Sequence, residues 1–130
     1  VQPKRILIVD DEDHIREVAA ISLELTQQWE VSTADSGAEA LRVAPRLQPD
    51  AILLDVMMPE MDGPTTFLRL QEDPATKDIP VIFLTAKVQA ADRRRFMALG
   101  VRSMIAKPFD PLTLATQVAE VLEWSLAPAA

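Results

Sequence analysis

The sequence has no cysteine, which excludes disulfides and thiolate metal sites together. It has no apolar run approaching the roughly eighteen residues of a membrane span. Its first residues, Val1-Gln2-Pro3-Lys4-Arg5, lead straight into a short apolar strand pattern and offer no signal-peptide core. These absences fit a cytoplasmic protein with no membrane partner. Positive charge is scarce as well: 13 Lys and Arg stand against 20 Asp and Glu, a net charge of −7. Attraction to nucleic acid needs clustered positive charge, so no direct nucleic-acid binding is expected of this stretch. A role at DNA would belong to a partner or to a further domain. Internal repeats, low-complexity tracts and linkers are missing too.

What is present is the stuff of one globular domain. The 130 residues suffice for a core, and five short apolar runs alternate with segments of helical spacing. The strand candidates are Arg5–Val9, Glu30–Thr33, Ala51–Leu54, Val81–Leu84 and Ser103–Ala106. Three are almost wholly apolar, as parallel strands covered on both faces should be. Ile15, Val18, Ala19, Ser22 and Leu25 fall on one helical stripe, and Leu112, Ala115, Val118, Ala119 and Leu122 on another. Asp35-Ser36 precedes the second helix, Gly63-Pro64 opens the third, and Asp110-Pro111 opens the fifth with proline in its first turn. Gly100 closes the fourth, and Gln71–Pro80 reads as a loop. Fivefold strand–helix alternation predicts an α/β fold with a doubly wound parallel sheet and right-handed crossovers.

Ligands of open α/β sheets collect at the carboxyl ends of the strands. The residues due there are Asp10, Asp11, Glu12 and Asp13 after the first strand and Asp55 after the third. Thr85, Ala86 and Lys87 follow the fourth, and Lys107-Pro108-Phe109 the fifth. Acidic residues after a strand are often only helix caps. Here the acidic pair is joined by an aspartate ending one apolar strand and a lysine ending another. Carboxylates so gathered repel unless a cation compensates them, and oxygen ligands without histidine or cysteine suit magnesium better than zinc.

Four motifs carry a resemblance across the chain from Ile6 to about Leu126. They are Ile-Leu-Ile-Val-Asp10-Asp11-Glu12, Leu-Leu-Asp55-Val-Met-Met-Pro59-Glu-Met-Asp-Gly63, Phe-Leu-Thr85-Ala86 and Ala-Lys107-Pro108-Phe109. In this order and spacing they resemble the receiver domains of two-component response regulators. The resemblance implies a flavodoxin-like, five-stranded sheet of order 2-1-3-4-5 with five helices, spanning residues 4–126 with residues 1–3 and 127–130 as tails. It implies that Asp55 is the phosphoacceptor, loaded by a histidine kinase, a phosphotransfer protein or a small phosphodonor. Asp11 and Asp55 would ligate Mg2+ directly, Asp10 through a water, and Met57 through its backbone carbonyl. Lys107, Thr85 and the amide of Ala86 would meet phosphoryl oxygens, and Lys107-Pro108 would be a cis peptide.

The resemblance further implies a signalling phosphoacceptor rather than an enzyme acting on other molecules, apart from assisting its own phosphoryl transfer and slow autodephosphorylation. It implies either a single-domain regulator or the receiver portion of a longer protein. Its output would reach a protein partner or a second copy through the fourth helix, fifth strand and fifth helix, where Arg93-Arg94-Arg95 lies. Thr85 and Met104 occupy the switch positions. Receivers usually carry an aromatic residue where Met104 stands, and a flexible methionine predicts a smaller population shift. Met57 and Lys87 flank the approach of hydrolytic water, which predicts slow decay of the phosphoryl group.

His14 is expected at the surface, Met58 in packing, and Trp29 and Trp124 outside the chemistry. A haloacid-dehalogenase-type enzyme would want a second aspartate where Met57 stands. A flavin binder would want a phosphate loop where Asp10-Asp11-Glu12-Asp13 stands, and a degenerate binding module would have lost Asp11, Asp55 or Lys107.

Overall fold

A computed structural model describes residues 3–86 and 89–126. Ten elements alternate along the chain: β1 (Arg5–Val9), α1 (Asp13–Gln27), β2 (Glu30–Ala34), α2 (Gly37–Leu47), β3 (Ala51–Asp55), α3 (Gly63–Glu72), β4 (Val81–Thr85), α4 (Ala90–Leu99), β5 (Ser103–Ala106) and α5 (Leu114–Leu122). All strand pairs are parallel and the order is β2-β1-β3-β4-β5. The crossover connections leave each face of the sheet covered, and β3 and β4 are buried along their whole length. That burial is why their sequences, AILLD and VIFLT, show no polar alternation.

The pleat sends alternate side chains to two cores. Leu7, Val9, Ile52, Leu54 and Phe83 pack with Phe67 of α3 and Phe96 of α4. Phe83 meets both rings edge-to-face, at 6.1 and 5.2 Å between centroids. Ile6, Ile8, Leu53, Ile82, Leu84 and Ile105 pack with Ala19 and Leu23 of α1 and with Leu114, Val118 and Leu122 of α5. Helix starts follow the predicted chemistry in two cases. Ser36 Oγ accepts from the Glu39 amide at 3.1 Å, and Asp62 Oδ1 accepts from the Thr65 amide at 2.9 Å, with Pro64 in the first turn. Gly100 ends α4 at φ 113°, a left-handed conformation that a side chain would strain.

Two sequence expectations fail in detail. On α1 the buried residues are Ala19, Ser22 and Leu23, whereas Val18 and Leu25 are exposed. The inward stripe is thus shifted from the one the spacing suggested. The fifth helix begins at Leu114 and not at Pro111. Residues 111–113 form a turn instead, in which Asp110 Oδ1 accepts from the Leu112 amide at 2.8 Å. Leu112 consequently faces solvent. The hydroxyl of Ser22 donates to the carbonyl of Pro111 and ties this turn to α1. Three strands also extend one residue further than the spacing indicated, so that Asp55 and Thr85 are the last residues of β3 and β4. No helix among the described residues is long and apolar enough to cross a membrane.

Candidate functional site

The carboxyl ends of β1, β3, β4 and β5 lie side by side, and the parallel register sets what meets there. Val9 pairs with Leu54, Asp55 with Leu84, and Thr85 with Ala106. Asp10 therefore emerges beside Asp55, and Lys107 follows the strand next to Thr85. One oxygen from each of Asp10, Asp11 and Asp55 lies within 4.8 Å of the others. Asp10 is fully buried and Asp55 nearly so, while Asp11 is exposed at the mouth.

Each buried carboxylate has partners. Lys107 Nζ donates to Asp10 Oδ2 at 2.9 Å and to Asp55 Oδ1 at 3.3 Å. The Glu12 amide donates to Asp10 Oδ1 at 2.9 Å and the Met57 amide to Asp55 Oδ1 at 3.3 Å. Burial pushes the Asp55 carboxyl up to about 6, helped by the negative charge of Asp10 and opposed by Lys107 and the Met57 amide. Burial alone would lower Lys107, but the hydrogen bond and charge of Asp10, with those of Asp55, outweigh it and hold the ammonium above its usual range. Lys107 is therefore a fixed cation.

The neighbouring backbone is shaped around Asp55. A Cβ on Gly63 would stand 2.5 Å from the Asp55 carbonyl oxygen and 2.8 Å from Val56 Cα, so the start of α3 can approach this strand end only without a side chain. The Gly63 amide donates to the Val56 carbonyl at 2.9 Å. Lys107-Pro108 is cis, and the Lys107 amide donates to the Thr85 carbonyl at 2.9 Å. Thr85 is buried and Ala86 exposed beside it. Three oxygen donors of hard character this close suit a cation such as Mg2+, which needs only one or two carboxylates and fills its remaining positions with water.

The other expected residues divide plainly. Met57 is 69% exposed at the rim, and Met58 is buried in the α2–α3–α4 core. Met104 is buried in that same core with Phe83 and Phe96. Lys87 lies outside the described residues. His14 points to solvent and meets Glu12 at 3.6 Å, apart from the carboxylate cluster. Arg93 and Arg94 are exposed, while Arg95 pairs with Asp92 at 3.2 Å and lies over the Phe96 ring. Trp29 and Trp124 meet edge-to-face at 5.5 Å at the edge of the α1–α5 core, far from any chemistry. Sequence reasoning missed Arg16, whose guanidinium donates to the Asp10 carbonyl at 2.7 Å and also pairs with Asp13. Its i,i+3 spacing from Asp13 was the visible signal.

Known proteins are similar to this chain over nearly its whole length. Response regulator PleD of Caulobacter vibrioides is 42% identical over 123 residues, covering 94% of this chain but 27% of its own length. This chain thus spans about a quarter of that relative. The structure of chemotaxis protein CheY4 of Vibrio cholerae superposes with a TM-score of 0.86 at 31% identity, covering 92% of this chain and 99% of that one. The receiver domain of sensor histidine kinase PA1611 of Pseudomonas aeruginosa, solved with a magnesium ion coordinated in its active site cleft, gives a TM-score of 0.81 at 27% identity, covering 94% of this chain and 99% of that one. The family model for the response regulator receiver domain matches residues 6–119, and the chain belongs to that family.

Proposed function

We propose that Asp55 accepts a phosphoryl group from a histidine kinase, a phosphotransfer protein or a small phosphodonor, in a site where Asp10, Asp11, Asp55 and the Met57 carbonyl hold Mg2+. The observation that carries this reading is the convergence of three carboxylates within 4.8 Å, with Lys107 bonded to two of them. The magnesium ion in the cleft of the PA1611 receiver supports the choice of cation. When bound, the ion supplies positive charge for both the carboxylates and the incoming phosphoryl oxygens.

The chain's own residues do the rest. An oxygen of Asp55 forms the new bond to phosphorus, and the donor leaves with the electrons of its former bond. Asp55 must be ionised to attack, and the ammonium of Lys107 beside it favours that form. Lys107 then turns to a phosphoryl oxygen, which carries more charge than the esterified carboxyl. The Thr85 hydroxyl and the Ala86 amide meet the others. Little covalent work falls to the protein, since phosphoryl transfer depends mainly on positioning and charge.

The domain, residues 4–126 with short tails, is a phosphoacceptor in the cytoplasm and relays its state to a protein partner or second copy through α4, β5 and α5. Incubation with acetyl phosphate and Mg2+ followed by intact-mass measurement tests the assignment. A gain of about 80 Da, one phosphoryl group, is expected for the wild type and not for Asp55→Asn. An unchanged adduct in the variant would refute it.

A further inference from the structure

We infer that Arg16 is a positioning residue for the cation site: it grips the peptide plane between Asp10 and Asp11 and so aims the Asp11 carboxylate. The inference rests on reading the carboxylate cluster as a Mg2+ site. Of the three carboxylates, Asp10 is held on both oxygens, by the Glu12 amide and by Lys107, and Asp55 is held by Lys107 and the Met57 amide. Asp11 is exposed, and no side chain or amide among the described residues holds its carboxylate. Its direction must come from the backbone. The Asp10 carbonyl oxygen lies in the same rigid plane as the Asp11 nitrogen, and Arg16 Nη1 donates to that oxygen at 2.7 Å.

The grip is firm because the guanidinium is fixed at several points. Its other nitrogen, Nη2, pairs with Asp13, and the Arg16 amide donates to the Glu12 carbonyl at 3.2 Å in the first turn of α1. The side chain is only 17% exposed. Capping does not order this loop, since Glu12 at the N-cap makes no side-chain cap bond. A rigid planar fork holds its two acceptors in a fixed relation to each other, which a point ammonium on a flexible stem does not reproduce.

Charge and positioning predict opposite signs, which makes the inference testable. A positive charge beside a cation site weakens binding, so an Arg16 acting through charge alone would yield tighter Mg2+ binding when neutralised. A positioning Arg16 yields weaker binding. The experiment is calorimetric titration of the metal-free protein with MgCl2 for wild type, Arg16→Gln and Arg16→Lys, with thermal melts to verify folding. Arg16→Gln is expected to bind about tenfold or more weakly, the loss typical when a residue supporting a metal ligand is removed. Arg16→Lys, which keeps the charge, should recover only part, and it carries the test alone if Arg16→Gln does not fold. Amide relaxation without Mg2+ should show Asp11 and Glu12 loosened in the variants. Unchanged or tighter binding in Arg16→Gln, or wild-type binding in Arg16→Lys, overturns the role. Weakened binding in the variants, with no phosphoryl group ever appearing on wild-type Asp55, would instead overturn the proposed function and leave Arg16 as assigned.

Discussion

Replacing Asp55 by asparagine should make the metal-free protein more stable at neutral pH. The ionised carboxylate is buried against Asp10, and its carboxyl is raised from 3.8 to about 6. At about 1.4 kcal/mol per tenfold change in proton affinity, the full difference is at most about 3 kcal/mol. The rim is open to water at Asp11 and Met57, and solvent screening brings the expected gain down to about 1–2 kcal/mol. Near-isosteric asparagine keeps an oxygen for Lys107 and removes the charge. For a domain of this size the gain corresponds to about 4–8 °C in Tm.

The pH dependence follows from the same shift. The folded protein holds the Asp55 proton more tightly than the unfolded chain, so stability from this group is full below 3.8 and is lost as the pH rises through about 6. The advantage of Asp55→Asn should therefore be complete at pH 7.5 and nearly gone at about pH 4. Urea and thermal unfolding in EDTA at both pH values measure it. Added Mg2+ should then raise the wild-type Tm in proportion to its occupancy and move the variant much less. A wild type as stable as Asp55→Asn at pH 7.5, or an advantage that does not change with pH, would refute the electrostatic argument.

Asp11→Ala should abolish Mg2+-dependent phosphorylation whereas His14→Ala leaves it nearly intact, because only the first removes an oxygen from the cluster; equal loss in both, by calorimetry and mass measurement, would mean that the ligand set is misassigned. The Met57 side chain brings no hydrogen-bonding group to the rim, so phosphoryl loss should be slow and Met57→Asn about ten- to hundredfold faster, with radiolabel decay in excess Mg2+ as the measurement and an unchanged rate as the contrary result. Met104 has no hydroxyl or ring to distinguish its orientations, so a beryllofluoride mimic should shift the NMR signals of α4, β5 and α5 less than in aromatic receivers; large shifts centred on Met104 would count against this.

Strands β1, β3 and β4 were legible because parallel strands buried on both faces leave nearly uninterrupted apolar runs. The inner face of α1 was not. That helix carries aliphatic residues on several sides, Ile15, Val18, Ala19, Ile21, Leu23 and Leu25 among them, so its period admits more than one inward stripe. Packing against β1 and α5 selected Ala19, Ser22 and Leu23. The start of α5 was misplaced for a local reason. Proline after aspartate signals a helix start, but the Asp110 side chain closes a turn on Leu112 first. The site was legible in membership and opaque in detail. Strand ends named Asp10, Asp11, Asp55 and Lys107, yet nothing in two adjacent aspartates says that Asp10 is buried and bonded to Lys107 while Asp11 is exposed. For Arg16 the spacing from Asp13 could be read, but not the bond to the Asp10 backbone carbonyl.

On the proposed function, the charges at the strand ends give this site a reason to answer to phosphorylation. Three carboxylates against one ammonium leave two negative charges in excess, in a place where two of the carboxylates are buried. A bound dication would cancel that excess. Phosphorylation of Asp55 would then replace one negative charge by an acyl phosphate carrying nearly two, and the excess would return further out, beyond the carboxylate that Lys107 now holds. The ammonium would be drawn toward it. Because the Lys107 amide is bonded to the Thr85 carbonyl, the ends of β4 and β5 are linked through that residue. Phe83 and Met104 pair two residues before Thr85 and three before Lys107, in the core under α4. On the proposed function, a shift beginning as charge at the strand ends would be handed to side chains packed beneath α4, where close packing turns small displacements into a choice between arrangements.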